Sequence, residues 1–363
     1  MQTLSTWAPQ VPRRIPSLDG LRALSILLVL VGHAIDAQEW PRLFALVGHV
    51  GNYGVRIFFV ISGFLITTLL LKEFDTHGTI SLRGFYIRRT LRILPAFFVY
   101  VGVIWGLYLA GVVPLKDGDL LHALTYTMNY HENRGWFLNH LWSLSVEEQF
   151  YLLWPSLFLL AGPHRAMRAA GAAIFLAPLI RAVMYFGFDA SATAVSRHFQ
   201  AVCDSLAFGC LLAGSYNWLG RQNWYTRLTR PTWFLAVPFL CLLIPAIAHK
   251  VHAMIFYIPG VSLVFFGITL LVDRSVRYPD DWVGRIFNWK PLMWIGTISY
   301  SIYLWQELFL DNGIAGLDIP LPLNLILTFA VSTVSYYAVE LQFLRWKDRF
   351  QQDKPAAAQR KIA

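Results

Sequence analysis

The first strongly apolar stretch of the chain carries three ionisable residues, Asp19, Arg22 and His33. Ionisable groups inside a membrane-spanning segment are costly, so their default interpretation is functional. The spacing from Arg22 to His33 returns both residues to one face of a helix, about 16 Å apart along its axis. An imidazole placed there could act as a general base or as a nucleophile. The alternative has Arg22 extended toward the interface and His33 in a hydrogen bond between helices.

A second polar group opens a later apolar stretch. At helical spacing His140, Ser143, Glu147 and Tyr151 share a face, whereas the adjacent Glu148 falls on a leucine-rich side. Glu147 is therefore the predicted inward carboxylate. In a low-dielectric interior it would suit acid–base chemistry or the positioning of a histidine. The alternative is a structural ion pair with a neighbouring arginine.

The third group consists of arginines where a loop enters a helix, just after Tyr86. Arg89 and Arg92 lie at i and i+3 on one helix face, and Arg88 flanks them. Guanidinium groups are well suited to bind phosphate oxygens. The alternatives are ordinary anchoring at the cytoplasmic surface and binding of anionic lipid.

The elements that must position these groups are predicted from composition. Of the 363 residues, 56% are hydrophobic and 14% are charged, below the ~25% of soluble domains. The apolar runs approach the ~20 residues that a spanning helix needs and do not alternate as barrel strands do. We therefore predict an all-α polytopic membrane protein with about ten spans. These are residues 18–37, 53–72, 89–110, 140–161, 168–187, 200–219, 232–249, 255–273, 291–310 and 321–344.

The net charge of +9 reflects topology rather than nucleic-acid binding. With both termini cytoplasmic, all but seven of the 30 Lys and Arg residues fall at or near the cytoplasmic side, as the positive-inside rule requires. The predicted domains are a cytoplasmic lead (1–17), a transmembrane domain (18–344) and a basic, disordered tail (345–363). The three cysteines are expected to be buried small hydrophobes, and no metal site is predicted.

Five segments of the chain resemble the acyltransferase type 3 family of membrane O-acyltransferases. The resemblance covers most of the chain and occurs in the order expected from the predicted topology. It includes the Arg-x10-His spacing that ends at His33 and the Arg-x-x-Arg pair of Arg89 and Arg92. The remaining segments are Gly54–Ile66, Trp142–Pro155 and Ile298–Trp305.

This resemblance implies an enzyme that takes an acyl group, usually acetyl, from cytoplasmic acyl-CoA to a hydroxyl of an extracytoplasmic carbohydrate. Such a protein lies in the bacterial inner membrane and has acyl-CoA as a co-substrate rather than a permanently bound cofactor. Its expected partners are acyl-CoA, the acceptor and the bilayer. Three groups of site residues follow: catalytic His33, Arg22, Glu147 and Asp19; acyl-CoA-binding Tyr86, Arg88, Arg89 and Arg92; and substrate-lining Ser62, His140, Ser143, Tyr151 and Tyr303.

The ninth span departs from the family pattern at one position, and the last span lacks the proline that often follows the glutamate at the position of Glu340. Gln306 stands where many relatives have a histidine, so any catalytic role at that position is absent or altered. Some relatives carry a fused extracytoplasmic domain after the last span. The predicted tail is too short for one, so we expect direct transfer or help from a separate protein.

Two alternatives to this function stay open. The same chemistry could act on a small molecule or a lipid-linked glycan. A solute transporter is the main alternative from another class, but it should show repeated halves with matching broken helices, and the sequence shows neither.

Overall fold

The computed structural model describes residues 8–12, 15–37, 50–310 and 319–352, and every regular element in these ranges is helical. In chain order the helices are α1 (Pro16–Ala37), α2 (Val50–His77), α3 (Leu82–Leu109), α4 (Asp119–Leu124), α5 (Trp136–Asn139), α6 (Leu141–Phe188), α7 (Ala192–Arg197), α8 (Phe199–Arg221), α9 (Asn223–Thr229), α10 (Ala236–Val251), α11 (Ala253–Ile255), α12 (Val261–Arg277), α13 (Trp282–Phe287), α14 (Lys290–Thr297), α15 (Ser299–Phe309), α16 (Leu323–Ser335) and α17 (Leu341–Gln352). Two 3-10 turns (Met128–Tyr130 and Thr232–Leu235) and two π-helical turns (Phe256–Gly260 and Tyr336–Glu340) complete the helical elements.

Seven helical stretches in the described ranges are long and apolar enough to cross a membrane. They confirm the prediction of an all-α polytopic membrane protein. The stretches are Pro16–Ala34, Gly51–His77, Leu82–Leu109, Trp136–Phe188, Thr232–His249, Ala253–Arg277 and Leu323–Trp346.

The longest of these stretches contains two rods. Trp136–Phe188 has 53 residues, far more than the ~20 that span a bilayer. Gly162 interrupts it with φ 75° and ψ 168°, a conformation in the positive-φ region that favours glycine. The two rods coincide with the predicted fourth and fifth spans, and this break takes the place of the cytoplasmic loop expected at 162–167.

Two further predicted spans are helical without belonging to those seven stretches. α8 covers the predicted span 200–219 but is less apolar, with Asp204 in its interior. α14 and α15 cover the span 291–310, and the chain leaves helical geometry between them at Ile298. All ten predicted spans therefore coincide with helical rods, while the number of membrane crossings and the sidedness of the termini stay predictions.

A backbone contact fixes the central helix pair. α2 packs against α1, α6, α8 and α12, and it is the most buried of the seven long stretches. A Cβ added at Gly63 of α2 would lie 2.1 Å from the carbonyl oxygen of Leu206 in α8. A Cβ at Gly209 of α8 would lie 2.2 Å from the carbonyl oxygen of Val60. Only glycine permits this approach, so Gly63 and Gly209 allow the close packing of α2 against α8.

The first helix lies between two parts of the bundle. α1 packs against α2 on one side and against α14 and α15 on the other. This position puts its polar residues, Arg22 and His33, next to side chains from both ends of the sequence. The lead before α1 is also attached, because the backbone nitrogen of Ala8 donates to Asp75 Oδ2 at 2.8 Å. At the other end α17 extends to Gln352, so the first part of the predicted tail is helical.

Candidate active site

A pocket of about 780 Å³, including its mouth, lies among α1, α2, α3, α6 and α15. Three arginines and one carboxylate contribute the charged groups of its wall, and aromatic and aliphatic side chains complete it. The lining residues are Arg22, Val55, Phe58, Phe59, Ser62, Leu65, Arg89, Arg92, Ile93, Ser143, Leu144, Glu147, Tyr151, Ser299, Tyr300 and Tyr303. Eight predicted site residues are therefore brought together in this one cavity, and they are Arg22, Ser62, Arg89, Arg92, Ser143, Glu147, Tyr151 and Tyr303.

The arginines give the pocket its positive charge. Arg22 Nη1 lies 3.3 Å from Asp19 Oδ1, so Asp19 holds Arg22 in the manner expected from their i, i+3 spacing. The guanidinium group of Arg89 lies over the ring of Tyr151, 4.9 Å from its centroid. Neither Arg89 nor Arg92 has a carboxylate within 4 Å among the described side chains. The wall therefore presents two cations that are available to an anionic ligand.

Glu147 faces the same cavity, as its position on the helix predicts. Ser62 Oγ donates to Glu147 Oε1 at 2.6 Å, and the hydroxyl of Tyr151 donates to Ser62 Oγ at 3.4 Å. Glu148 does not line the pocket. Glu147 therefore bonds a serine hydroxyl of α2, and neither an arginine nor a histidine is its bonded partner.

Tyr303 joins the pocket to a second polar cluster. Its hydroxyl lies 2.6 Å from Ser143 Oγ and donates to the carbonyl oxygen of His140 at 2.7 Å. His140 itself is 2% exposed and is absent from the pocket wall. His140 belongs to this second, deeper cluster, whereas Ser143 and Tyr303 belong both to that cluster and to the pocket wall.

A buried carboxylate organises this second cluster. Glu307 is fully buried, and its Oε2 lies 2.6 Å from His140 Nδ1 and 3.3 Å from the His140 backbone nitrogen. The indole nitrogen of Trp136 donates to the Glu307 carbonyl oxygen at 2.8 Å. Glu307 therefore ties α15 to the junction of α5 and α6.

His33 lies beside this cluster and not in the pocket wall. Its Nδ1 is 2.5 Å from Gln306 Oε1, and its ring meets that of Trp136 edge-on with centroids 5.6 Å apart. With Gln306 Oε1 as the acceptor, Nδ1 is the donor, and this contact matches the neutral tautomer that has its proton on Nδ1 and a lone pair on Nε2. A histidine in that tautomer can accept a proton or attack a carbonyl carbon. Gln306, the departure from the family pattern, is thus the residue that orients His33.

Two residues predicted to bind the donor lie outside the pocket. Arg88 Nη2 donates to Glu73 Oε2 at 3.2 Å, because its position on α3 turns it toward the end of α2. The hydroxyl of Tyr86 donates to the carbonyl oxygen of Leu152 at 3.1 Å, on the side of α3 that faces α6. Of the predicted donor-binding group, only Arg89 and Arg92 reach the cavity.

Sequence reasoning did not single out Glu307, Trp136 or Tyr300. Glu307 had a detectable signal, since a carboxylate follows Tyr303-Leu-Trp-Gln306 in an otherwise apolar segment and such groups are functional candidates by default. Trp136 carried no comparable signal, because it begins the short helix α5, whose distance from His33 is set only by the tertiary structure. Among the described residues no group of three His, Cys, Asp or Glu is placed to hold a metal ion.

Chemically, the arrangement contains one anion-binding region and one region of proton-accepting groups, with Ser143 and Tyr303 between them. Phosphate or carboxylate oxygens fit the first region, and an imidazole with an open Nε2 occupies the second. Group transfer from an anionic donor to a hydroxyl is compatible with this layout.

Comparison with known proteins agrees with the resemblance found in the sequence. A family model described as an acyltransferase domain matches residues 15–340. The chain is 30% identical to a putative peptidoglycan O-acetyltransferase, YrhL, of Bacillus subtilis, over 90% of this chain and 54% of that protein. It is 29% identical to the peptidoglycan O-acetyltransferase OatA of Listeria monocytogenes, over 90% of this chain and 55% of that protein. The chain thus spans about half the length of these relatives, and no solved structure matches it. From the family match over nearly its whole length, the chain belongs to the acyltransferase-domain family of membrane proteins.

Proposed function

We propose that this chain is a membrane O-acyltransferase that moves an acetyl group from cytoplasmic acetyl-CoA to a hydroxyl of a cell-wall or other extracytoplasmic carbohydrate. The observation that carries the proposal is the connection between the arginine-lined pocket and the cluster that holds His33. The names of the relatives support acetyl as the acyl group and a cell-wall glycan as the acceptor. The proposed location is the bacterial inner membrane.

In this proposal the acetyl donor binds through the positive charge of the pocket. Arg89 and Arg92 face the cavity without carboxylate partners among the described side chains, so phosphate oxygens of coenzyme A would complete their hydrogen bonding. With the phosphates held at this end, the thioester arm would extend past Ser62 and Glu147 toward Tyr303. The positive-inside distribution of charge places Arg89 and Arg92 at the cytoplasmic side, where the donor is made.

The transfer step uses His33. Its Nε2 takes the proton of the acceptor hydroxyl as the hydroxyl oxygen attacks the thioester carbonyl carbon. The carbon–sulfur bond then breaks, and the coenzyme A thiolate leaves with the proton returned by the imidazole. Gln306 fixes the ring through Nδ1 throughout. In a second route, Nε2 attacks first and carries the acetyl group to the acceptor.

The test is release of the coenzyme A thiol by the purified full chain in nanodiscs with acetyl-CoA and peptidoglycan fragments. A general base contributes about 10²–10⁴-fold, so His33→Ala should lower release by at least about 100-fold. His77→Ala, which removes an exposed histidine at the end of α2, is the matched control and should keep the wild-type rate.

Two results would contradict the proposal. If folded His33→Ala releases thiol at the wild-type rate, His33 has no catalytic role. If the wild-type chain releases no thiol with a range of glycan and small-molecule acceptors, the transporter alternative gains support, and solute flux into liposomes becomes the next measurement. A radiolabelled acetyl group trapped on the protein, present in wild type and absent in His33→Ala, would identify the covalent route.

A further inference from the structure

A second, smaller pocket lies beside the candidate active site. Its empty volume is about 320 Å³, and it shares Phe59 with the wall of the larger pocket. Two arginines, Arg56 from α2 and Arg197 from α7, supply its charge. Its wall consists of Asn52, Arg56, Phe59, Trp142, Ser196, Arg197, Val202 and Phe265.

Arg56 is a buried cation whose Nη1 has no hydrogen-bond partner among the described residues. The residue is 8% exposed. No carboxylate of the described chain lies within 4 Å of it. Its guanidinium group instead lies over aromatic rings, 5.3 Å from the ring centroid of Phe256 and 5.7 Å from that of Phe265. A buried charge is normally paired, so this one calls for an anion that the described part of the chain does not provide.

The nearest candidate counter-ion in the bundle is already fully engaged. Asp204 accepts from Arg181 through both carboxylate oxygens, at 3.1 and 3.0 Å, and Ser262 Oγ donates to its Oδ2 at 2.6 Å. The Arg181–Asp204 pair therefore neutralises itself and leaves Arg56 uncompensated.

Arg197 supplies the second cation and connects the pocket to the catalytic cluster. Its Nη1 donates to Asn139 Oδ1 at 2.8 Å, and its guanidinium group lies 5.3 Å from the centroid of a Trp142 ring. Asn139 immediately precedes His140, the partner of Glu307. Burial lowers the pKa of Arg197, while Glu307 and Tyr303 act in the opposite direction, which shows how close this arginine lies to the deeper cluster.

We propose that Arg56 and Arg197 form a binding site for an oxyanion, a carboxylate or a phosphate, carried by the acceptor saccharide. The inference rests on the proposed function and names the class of acceptor as an acidic sugar. Two guanidinium groups suit an oxyanion, and the buried rings of Trp142 and Phe59 form the apolar part of the wall beside them. The pocket is too small for a glycan chain, so it would hold one charged substituent and leave a hydroxyl of the same sugar beside the His33 cluster.

The position of the pocket agrees with this role. α7 connects the second rod of α6 to α8, and Arg56 lies near the start of α2. The charge distribution of the sequence assigns both places to the outer side of the membrane, opposite to Arg89 and Arg92. Donor and acceptor would thus bind through separate groups of arginines at opposite ends of the bundle.

The test measures acceptor binding without acetyl-CoA. The full chain in nanodiscs is titrated with N-acetylmuramic acid, its methyl ester, N-acetylglucosamine, N-acetylglucosamine 1-phosphate and inorganic phosphate. Kd is obtained from the shift in thermal unfolding midpoint. We expect wild type to bind at least one of the two charged sugars at least tenfold more tightly than both neutral sugars. The comparison among the acids then distinguishes carboxylate, sugar phosphate and free phosphate.

Substitutions of Arg56 and Arg197 test whether these two residues cause the preference for charged sugars. Arg56→Gln and Arg197→Gln should each weaken binding of the charged sugar at least tenfold and leave the neutral sugars unchanged. Arg56→Lys, which keeps the charge, should retain part of the preference. Lys116→Gln, which removes an exposed cation from the segment between α3 and α4, is the control and should bind the charged and neutral sugars as wild type does.

Equal affinity of the wild-type chain for charged and neutral sugars would overturn the inference, as would unchanged binding of the acid by both glutamine variants. Thiol release is measured on the same samples. Release of thiol without any preference for acids refutes only the oxyanion site, whereas a preference for acids without release of thiol refutes only the proposed function.

Discussion

Replacing Glu307 by glutamine tests whether the buried carboxylate beside His33 supports the reaction. The substitution keeps the shape of the side chain and removes its charge. In the structure Oε2 accepts two hydrogen bonds from His140, at 2.6 and 3.3 Å, in a site that is closed to solvent. Glutamine can still accept through its amide oxygen, so the change isolates the contribution of the charge.

The magnitude follows from the type of hydrogen bond. Hydrogen bonds to a charged group are worth about 1.5–3 kcal/mol and neutral ones about 0.5–1.5 kcal/mol. Glu307→Gln should therefore weaken the bonding to His140 by about 1–2 kcal/mol. At about 1.4 kcal/mol per tenfold change, thiol release should fall about 5- to 30-fold if the ordered His140–Glu307 pair is needed in the transition state. Glu307→Asp, which restores the charge on a shorter side chain, should recover part of the rate.

A matched variant separates the catalytic effect from a general loss of a buried charge. Glu340 is also a buried carboxylate, 4% exposed, and it bonds Ser301, which precedes the His33 partner Gln306 by five residues on α15. Glu340→Gln should lower the unfolding midpoint by a similar amount and leave thiol release within about twofold of wild type. Equal rates in Glu307→Gln and wild type, with both folded, would refute the reasoning. An equal loss in Glu307→Gln and Glu340→Gln would assign Glu307 to folding alone.

Three further changes have defined outcomes. Arg89→Ala should raise the KM for acetyl-CoA about tenfold, because it removes a cation from the pocket, whereas Arg88→Ala, whose partner is Glu73, should change it less than twofold. Gly63→Val should lower the free energy of unfolding by about 3 kcal/mol in a denaturation assay, because its Cβ would lie 2.1 Å from the carbonyl oxygen of Leu206. Gly102→Val should lower it much less, because a Cβ at that position has nothing within 4 Å. Burial, followed by the neighbouring His122, lowers the pKa of His131 from 6.5, and Asp119 acts in the opposite direction. The stability that His131 contributes is therefore present above pH 6.5 and lost as the pH falls through 6.5 toward the lowered value. Amide protection factors in residues 119–135, which correct for the pH dependence of intrinsic exchange, should therefore fall on acidification in wild type and not in His131→Gln.

The sequence contained enough information to predict the ten helical rods and the pocket wall. Helical spacing alone put His140, Ser143, Glu147 and Tyr151 on one face, and all of these except His140 line the pocket. The same spacing placed Arg89 and Arg92 together and identified Glu147 over Glu148 as the inward carboxylate. These predictions succeed because they depend on the geometry of a single helix, which the chain carries locally.

Contacts between helices could not be predicted in the same way. Arg22 and His33 share a helix, yet Arg22 lines the pocket while His33 bonds Gln306, which is 273 residues away in the chain. Their common face extends along the bundle axis and meets different neighbours at each end. Arg88 was assigned to the donor site because it is adjacent to Arg89, but one position on a helix turns a side chain by about 100°, which is enough to direct it to Glu73.

The contact between Gly63 and Gly209 limits how the bundle can move. Where two backbones touch, no side chain can adopt another rotamer to accommodate sliding, and a shift by one residue would bring Phe64 or Ser62 against the carbonyl of Leu206. α2 and α8 must therefore move as one body, which is unfavourable for a protein that works by rocking two halves past each other. Ser62 of the pocket wall lies on α2, so this side of the wall keeps a fixed position relative to α8. Under the proposed function, the flexible arm of the donor, and not sliding of α2 along α8, then carries the acyl group past Ser62 toward Tyr303.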